Sequence, residues 1–246
     1  EFNKPFSCIE LQNINSREYI EGTVFEKSVI FWLDYTSAIK KVYLDEIQVL
    51  LDKYASGDIL RVTFNADPRG LDGETGAETT LQKRLESFQK RIGEYSLDDI
   101  NENDMKYDEY PNLLLKVIKK MAADLYLGED KRLLPLSAYS YADGTQMLTF
   151  TGIVLDKGEL DGIKALLAGW EHANLEWSAP HPIRGTDLTI KEILTANRYL
   201  PNSFEQAKQH FANVMEVEEI PQDLERSLIE YKAYYQYYPN FHQVIF

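Results

Sequence analysis

The sequence predicts an α/β protein: a parallel sheet, closed by an antiparallel hairpin and followed by helices. Three observations carry this. Val29-Ile30-Phe31-Trp32-Leu33 and Ile59-Leu60-Arg61-Val62-Thr63-Phe64 are β-rich runs separated by one helical pattern, the spacing of a βαβ crossover. Two further β-rich runs flank Asp143-Gly144, a strong hairpin signal. The remainder is mostly helical in pattern.

Taken in order, Pro5-Phe6-Ser7-Cys8-Ile9-Glu10 is a short apolar run with a polar exit and reads as a strand. Val29 to Leu33 is continuously apolar and ends at Asp34, the pattern of a strand covered on both faces. A helix follows, capped by Thr36 or Ser37, with Ile39, Val42, Ile47, Leu50, Leu51 and Tyr54 at helical spacing and Gly57 as its stop. The next strand ends at Asn65. Residues 67–80, rich in Gly, Asp and Thr, read as a surface loop. Helical patterns cover 81–95 and 111–127, joined by an acidic, exposed connection at 97–110. The hairpin strands span 133–141 and 145–155. Beyond them 159–171, 189–200 and 222–238 are helical, the second with Thr189 as cap and Glu192 completing a capping box. Two regions are expected: a sheet domain over 1–156, and a mostly helical extension over 157–246 packed on it.

The chain has 246 residues, with 26 Lys and Arg against 40 Asp and Glu, a formal charge of −14. Gripping nucleic-acid phosphate depends on Lys and Arg displacing counterions, so this balance disfavours nucleic acid as the main partner. A content of 44% hydrophobic and 27% charged residues is that of a folded soluble domain. The single cysteine, Cys8, excludes an intrachain disulfide and a thiolate-rich zinc site. No stretch approaches the ~18 apolar residues of a membrane span, and the first residues lack a signal pattern. The expected home is cytoplasmic.

Strand ends supply the candidate chemistry, because open α/β sheets bind ligands outside the carboxyl ends of their strands. Asp34 and Tyr35 follow one such end; Asp34 can hold a ligand hydroxyl or amine, or simply cap the next helix. Asn65 follows the other, with Asp67 and Arg69 beyond it in a Pro- and Gly-containing turn. His181 lies between two prolines, and the four histidines lack metal-ligand spacing, so no metal site is expected. Tyr231, Tyr234, Tyr235 and Tyr238 share one helical face, which suits packing or a protein partner better than base stacking. No phosphate loop, nucleophile elbow, zinc-protease motif or Gly-x-Gly-x-x-Gly is present.

Strands ending in Phe31-Trp32-Leu33-Asp34-Tyr35 and Val62-Thr63-Phe64-Asn65, closed by a hairpin, resemble the second half of a class I S-adenosylmethionine-dependent methyltransferase and its Rossmann-like sheet. More narrowly, Val29 to Tyr35, Pro180-His181-Pro182-Ile183 with Leu188-Thr189, and Tyr237-Tyr238-Pro239-Asn240-Phe241 are similar to a family of bacterial O-methyltransferase-like proteins. The resemblance implies Asp34 and Tyr35 as catalytic residues, Asp34 and Asn65 as contacts for S-adenosylmethionine, and a small-molecule or protein methyl acceptor. The family's Gly-rich cofactor loop and ribose-holding acid have no counterpart. On this reading residues 6–10 form the third strand, two strands precede Glu1, and cofactor binding depends on that upstream segment. Since the first strand pairs with the fourth in the resembled fold, the strand ending at Asp34 is expected to present an open edge. The alternative is a catalytically silent interaction subunit of a bacterial assembly, with the Tyr-rich C-terminal helix as its docking feature. A nucleic-acid-modifying enzyme ranks last, since the Asn-Pro-Pro-Tyr type of motif is absent.

Overall fold

The computed structural model describes residues 6–72 and 80–236, and the chain divides into two compact units, Glu1–Ile183 and Arg184–Phe246. The first unit contains, in order, α1 (Ser16–Gly22), β1 (Ile30–Ala38), α2 (Lys41–Lys53), β2 (Ile59–Asn65), α3 (Leu81–Ile92), α4 (Tyr110–Leu125), β3 (Lys131–Asp143), β4 (Thr145–Asp156), α5 (Leu160–Leu167) and β5 (His181–Ile183). The five strands form one mixed sheet in the order β1-β2-β4-β3-β5. β1 and β2 run parallel, as do β3 and β5, while β4 is antiparallel to both its neighbours. This is an α/β, Rossmann-like architecture with the expected closing hairpin. Gly144 turns that hairpin at φ +82°, a conformation that side chains with a Cβ rarely adopt.

The parallel pair exists because α2 is amphipathic and long enough to return the chain. Its buried Leu44, Ile47, Leu50 and Leu51 join Leu33 and Tyr35 of β1 and Leu60, Val62 and Phe64 of β2 in one core. α4 enters that core with Leu113, Leu114, Val117 and Ile118, and β4 adds Leu148 and Phe150. Burying this much apolar surface on one sheet face is the main stabilising term. The other face is more polar. There Trp32 Nε1 donates to Thr63 Oγ1 at 3.1 Å, and Thr63 and Thr149 hydroxyls meet at 3.0 Å.

Several expectations change. Residues 6–10 form no strand: Ile9 N closes a turn onto Phe6 O at 3.2 Å, and Phe6 and Leu11 lie 68% and 65% exposed. A short apolar run becomes a strand only where a neighbour offers a hydrogen-bonding edge and a face to pack on. β1 is not covered on both faces, since Ile30 and Trp32 are 73% and 58% exposed. It alternates instead, because among the described residues no element covers that side. Thr36 and Ser37 do not cap α2: the strand continues to Ala38, and Lys40 holds the cap position without a side-chain bond. The predicted helix at 159–171 shortens to α5, and residues 157–183, assigned from sequence to the extension, supply α5 and β5 to the first unit. α1 had no forecast; Asn15 caps it by accepting from Arg17 N at 2.9 Å.

The second unit contains α6 (Ile190–Ala196), α7 (Phe204–Met215) and α8 (Gln222–Tyr234). The Thr189–Glu192 capping box forms as expected, with Thr189 Oγ1 accepting from Glu192 N at 3.4 Å and Glu192 Oε2 accepting from Thr189 N at 2.7 Å. Leu188, Ala196, Phe211, Leu228 and Tyr231 make its core. Tyr231 reconciles burial with polarity by donating its hydroxyl to Asn197 Oδ1 at 2.8 Å. α7 went unforecast. Tyr237, Tyr238, Pro239, Asn240 and Phe241 lie outside the described residues.

Candidate active site

β1 is an edge strand. β2 occupies one side of it, and its other side has no strand partner among the described residues. A cleft of about 760 Å³ opens along that free edge, lined by five consecutive β1 residues, Phe31 to Tyr35. Its opposite wall comes from the segment leading into α1 and from Val42, Tyr43 and Glu46 of α2. Among the described residues that edge is open, and a concave cleft runs beside it.

Asp34 does not end its strand; it pairs with Thr63 in register, and β1 continues for four residues beyond it. Strand alternation puts its side chain on the exposed face and that of Tyr35 on the buried one. The Asp34 side chain makes no hydrogen bond or ion pair among the described residues, so it is not the helix cap that its spacing allowed. Tyr35 is 8% exposed, stacked on Tyr43 at 4.0 Å and on Phe64 at 5.7 Å between ring centroids. Its hydroxyl donates to Glu46 Oε2 at 2.7 Å. Burial, then that bond to a carboxylate, push the phenol's pKa far above its ordinary value. Tyr35 thus keeps its proton, a wall and a donor rather than a base.

Asn65 stands apart from the cleft. Its Nδ2 donates to Thr36 O at 3.0 Å and its Oδ1 accepts from Asp67 N at 3.0 Å, so it ties the ends of β1 and β2 together. Arg69 is likewise engaged, its guanidinium chelating Asp67 and lying 5.9 Å from the Tyr107 ring centroid. His181 sits on β5, with its ring 6.1 Å from Tyr139.

Glu46 is the residue that the sequence reading missed. It is 7% exposed, faces the cleft from α2, and accepts from Tyr35 and, at 3.2 Å to each carboxylate oxygen, from Ser16 Oγ. A signal existed: Glu46 falls three residues after Tyr43 and four before Leu50, hence on the helix face that packs inward. A carboxylate there stays buried only with donors to satisfy it.

Among the described residues, no group of three or more His, Cys, Asp or Glu is arranged to hold a metal ion, and no helix is long and apolar enough to cross a membrane. No curated protein matches the chain significantly. The strand–helix–strand unit and the closing hairpin agree with a Rossmann-like methyltransferase fold. A family model described as "Putative O-methyltransferase" matches residues 1–246, and the chain belongs to that methyltransferase family.

Proposed function

We propose that this protein transfers a methyl group from S-adenosylmethionine to a hydroxyl, with the reacting groups meeting beside Asp34 and Tyr35 of β1. The observation that carries the reading is Asp34 itself: an exposed carboxylate without a side-chain partner among the described residues, in the lining of a cleft of about 760 Å³. Such a group is unspent in folding. It is free for a ligand.

The residues present fit the donor in chemistry. Asp34 would hold its ammonium or a ribose hydroxyl, and the aromatic wall suits a flat, partly apolar molecule. Asn65 would contribute by fixing the strand end next to Asp34 rather than by touching the donor. When bound, S-adenosylmethionine supplies an activated methyl group on a good leaving group. The protein's work is then mainly positioning. Tyr35, held by Glu46 and clamped between Tyr43 and Phe64, keeps the cleft wall in place. Asp34 is also an exposed carboxylate able to take a proton from an acceptor hydroxyl. The reading includes a cytoplasmic setting and a small-molecule or protein acceptor, the acidic composition favouring neither DNA nor RNA.

Isothermal titration of the full-length protein with S-adenosylmethionine and with S-adenosylhomocysteine tests this. Binding at micromolar concentration, weakened by Asp34→Asn, supports the proposal. No heat from either compound at high micromolar concentration would sink it.

A further inference from the structure

The segment before α1 lies across the cleft from the free edge of β1. Glu10, Gln12 and Ile14 line the cleft while Leu11 and Asn13 do not, the two-residue period of extended backbone. Residues 10–14 make no hydrogen bond among the described residues, and Leu11 and Ile14 are 65% and 43% exposed. No proline or glycine interrupts them, so every residue has an N–H to donate. The facing edge offers the same groups. Val29 O accepts from Ile59 N at 2.9 Å, so residues 29, 31 and 33 turn their backbone groups to β2. By alternation, the backbone groups of Trp32 and Asp34 point to the free side. The segment also has a fixed pivot. Asn15 caps α1, and α1 is held on α2 by Ser16 Oγ donating to Glu46, by the buried Ile20, and by Lys53 Nζ donating to Glu21 O at 2.8 Å.

From these facing rows of backbone groups we propose that residues 10–14 are an autoinhibitory strap. It turns about Asn15 from the open position described above to a closed one, where it pairs with the free edge of β1 as a sixth strand and fills the cleft. Closure gives Trp32 and Asp34 backbone partners and gives the exposed Leu11 and Ile14 cross-strand neighbours. Each net backbone hydrogen bond is a modest gain set against the order imposed on five residues, so the two positions stay within exchange of one another. A ligand and the strap cannot share the cleft. Whatever enters must displace the strap, and its apparent affinity falls by the closed fraction. The inference concerns access and holds for any occupant of the cleft, the methyl donor included.

Amide hydrogen exchange of the full-length protein, read residue by residue by NMR, tests this without any ligand. Trp32 and Asp34 are expected to exchange about ten-fold or more slowly than unstructured amides, the mark of a mostly closed strap. Consecutive strand residues point their N–H groups to opposite sides, so Gln12→Pro and Asn13→Pro between them remove a pairing donor whichever way the strap lies. At least one of them should return Trp32 and Asp34 to unprotected rates. Phe31 and Leu33, which face β2, should stay protected in both and show that the fold survives. Unprotected Trp32 and Asp34 in the wild type would overturn the proposal, as would protection kept in both variants. So would protection that rises with protein concentration, which assigns the edge to a second copy. The variant that loses protection should bind S-adenosylmethionine several-fold more tightly, and unchanged affinity also overturns autoinhibition. If neither protein binds the donor, the methyltransferase reading falls and exchange still decides the strap.

Discussion

The Tyr35 hydroxyl donates to the Glu46 carboxylate across 2.7 Å, tying edge strand β1 to helix α2 at the back of the cleft. Both groups are buried, so neither can exchange the other for water at no cost. Glu46→Leu is expected to strand the Tyr35 hydroxyl and lower stability by about 1–3 kcal/mol. Tyr35→Phe strands the carboxylate with Ser16 alone and should cost a similar amount. The double variant should cost less than the sum, because it removes both members of the pair. Urea denaturation of the four proteins measures the coupling; strictly additive losses would show that the bond contributes nothing.

Gly152 lies in the hairpin where no Cβ fits. A Cβ at that position meets Phe150 Cζ at 2.8 Å and Leu133 Cδ1 at 2.9 Å, closer than van der Waals contact allows. Gly152→Ala is therefore expected to destabilise by about 1–3 kcal/mol through overpacking. Adding Leu133→Val should return part of the loss by withdrawing one obstructing methyl group. Thermal denaturation of single and double variants decides the matter, and an unchanged midpoint for Gly152→Ala would contradict the packing argument.

Asp67 links stability to acidity. It is 6% exposed; the Arg69 side-chain bonds hold its carboxyl below the ordinary carboxylate range despite burial, and Arg69 N adds a backbone bond at 2.9 Å. A carboxyl with a lowered folded-state pKa contributes stability above its unfolded value and loses it as pH falls through the folded one. Asp67→Asn should thus cost about 1–2 kcal/mol at neutral pH, within the range for hydrogen bonds to charged groups. The difference from wild type should shrink in strongly acidic buffer. Guanidinium denaturation at the two pH values reads this directly; a pH-independent difference would place the effect elsewhere.

The free edge of β1 carries an association hazard. Ile30 and Trp32 are 73% and 58% exposed beside backbone groups with no strand partner among the described residues. Charged residues on edge strands oppose pairing with another chain. Ile30→Lys should reduce concentration-dependent light scattering on warming while changing stability by no more than about 0.5 kcal/mol, as surface substitutions usually do. Unchanged scattering would mean that association uses another surface.

Much of the fold was legible because it rests on local patterns. The α2 spacing of Ile47, Leu50 and Leu51 and the β-rich run at Ile59 to Phe64 suffice to predict the crossover, since a parallel neighbour requires an intervening helix. Asp143-Gly144 specifies the hairpin because the turn needs a positive φ that glycine supplies freely. The capping box at Thr189 is equally local. Asp34 could be singled out by position, as a polar residue after an apolar run, but not that its side chain has no partner among the described residues.

Long-range pairing decided the rest. Residues 6–10 and β1 share an apolar character, yet only β1 finds a neighbour in β2, so only β1 is a strand. Glu46 reads as an ordinary polar residue on α2 until Tyr35 and Ser16 arrive from segments 11 and 30 residues away to satisfy it. The cleft itself belongs to no segment. The sequence by itself determined which stretches could be helix, strand or turn, because those preferences are set within a few residues by backbone sterics and hydrophobic spacing. Only the tertiary structure decided which side of β1 lacks a strand partner among the described residues and which carboxylates line the cleft there, because exposure and hydrogen-bond satisfaction depend on groups distant along the chain.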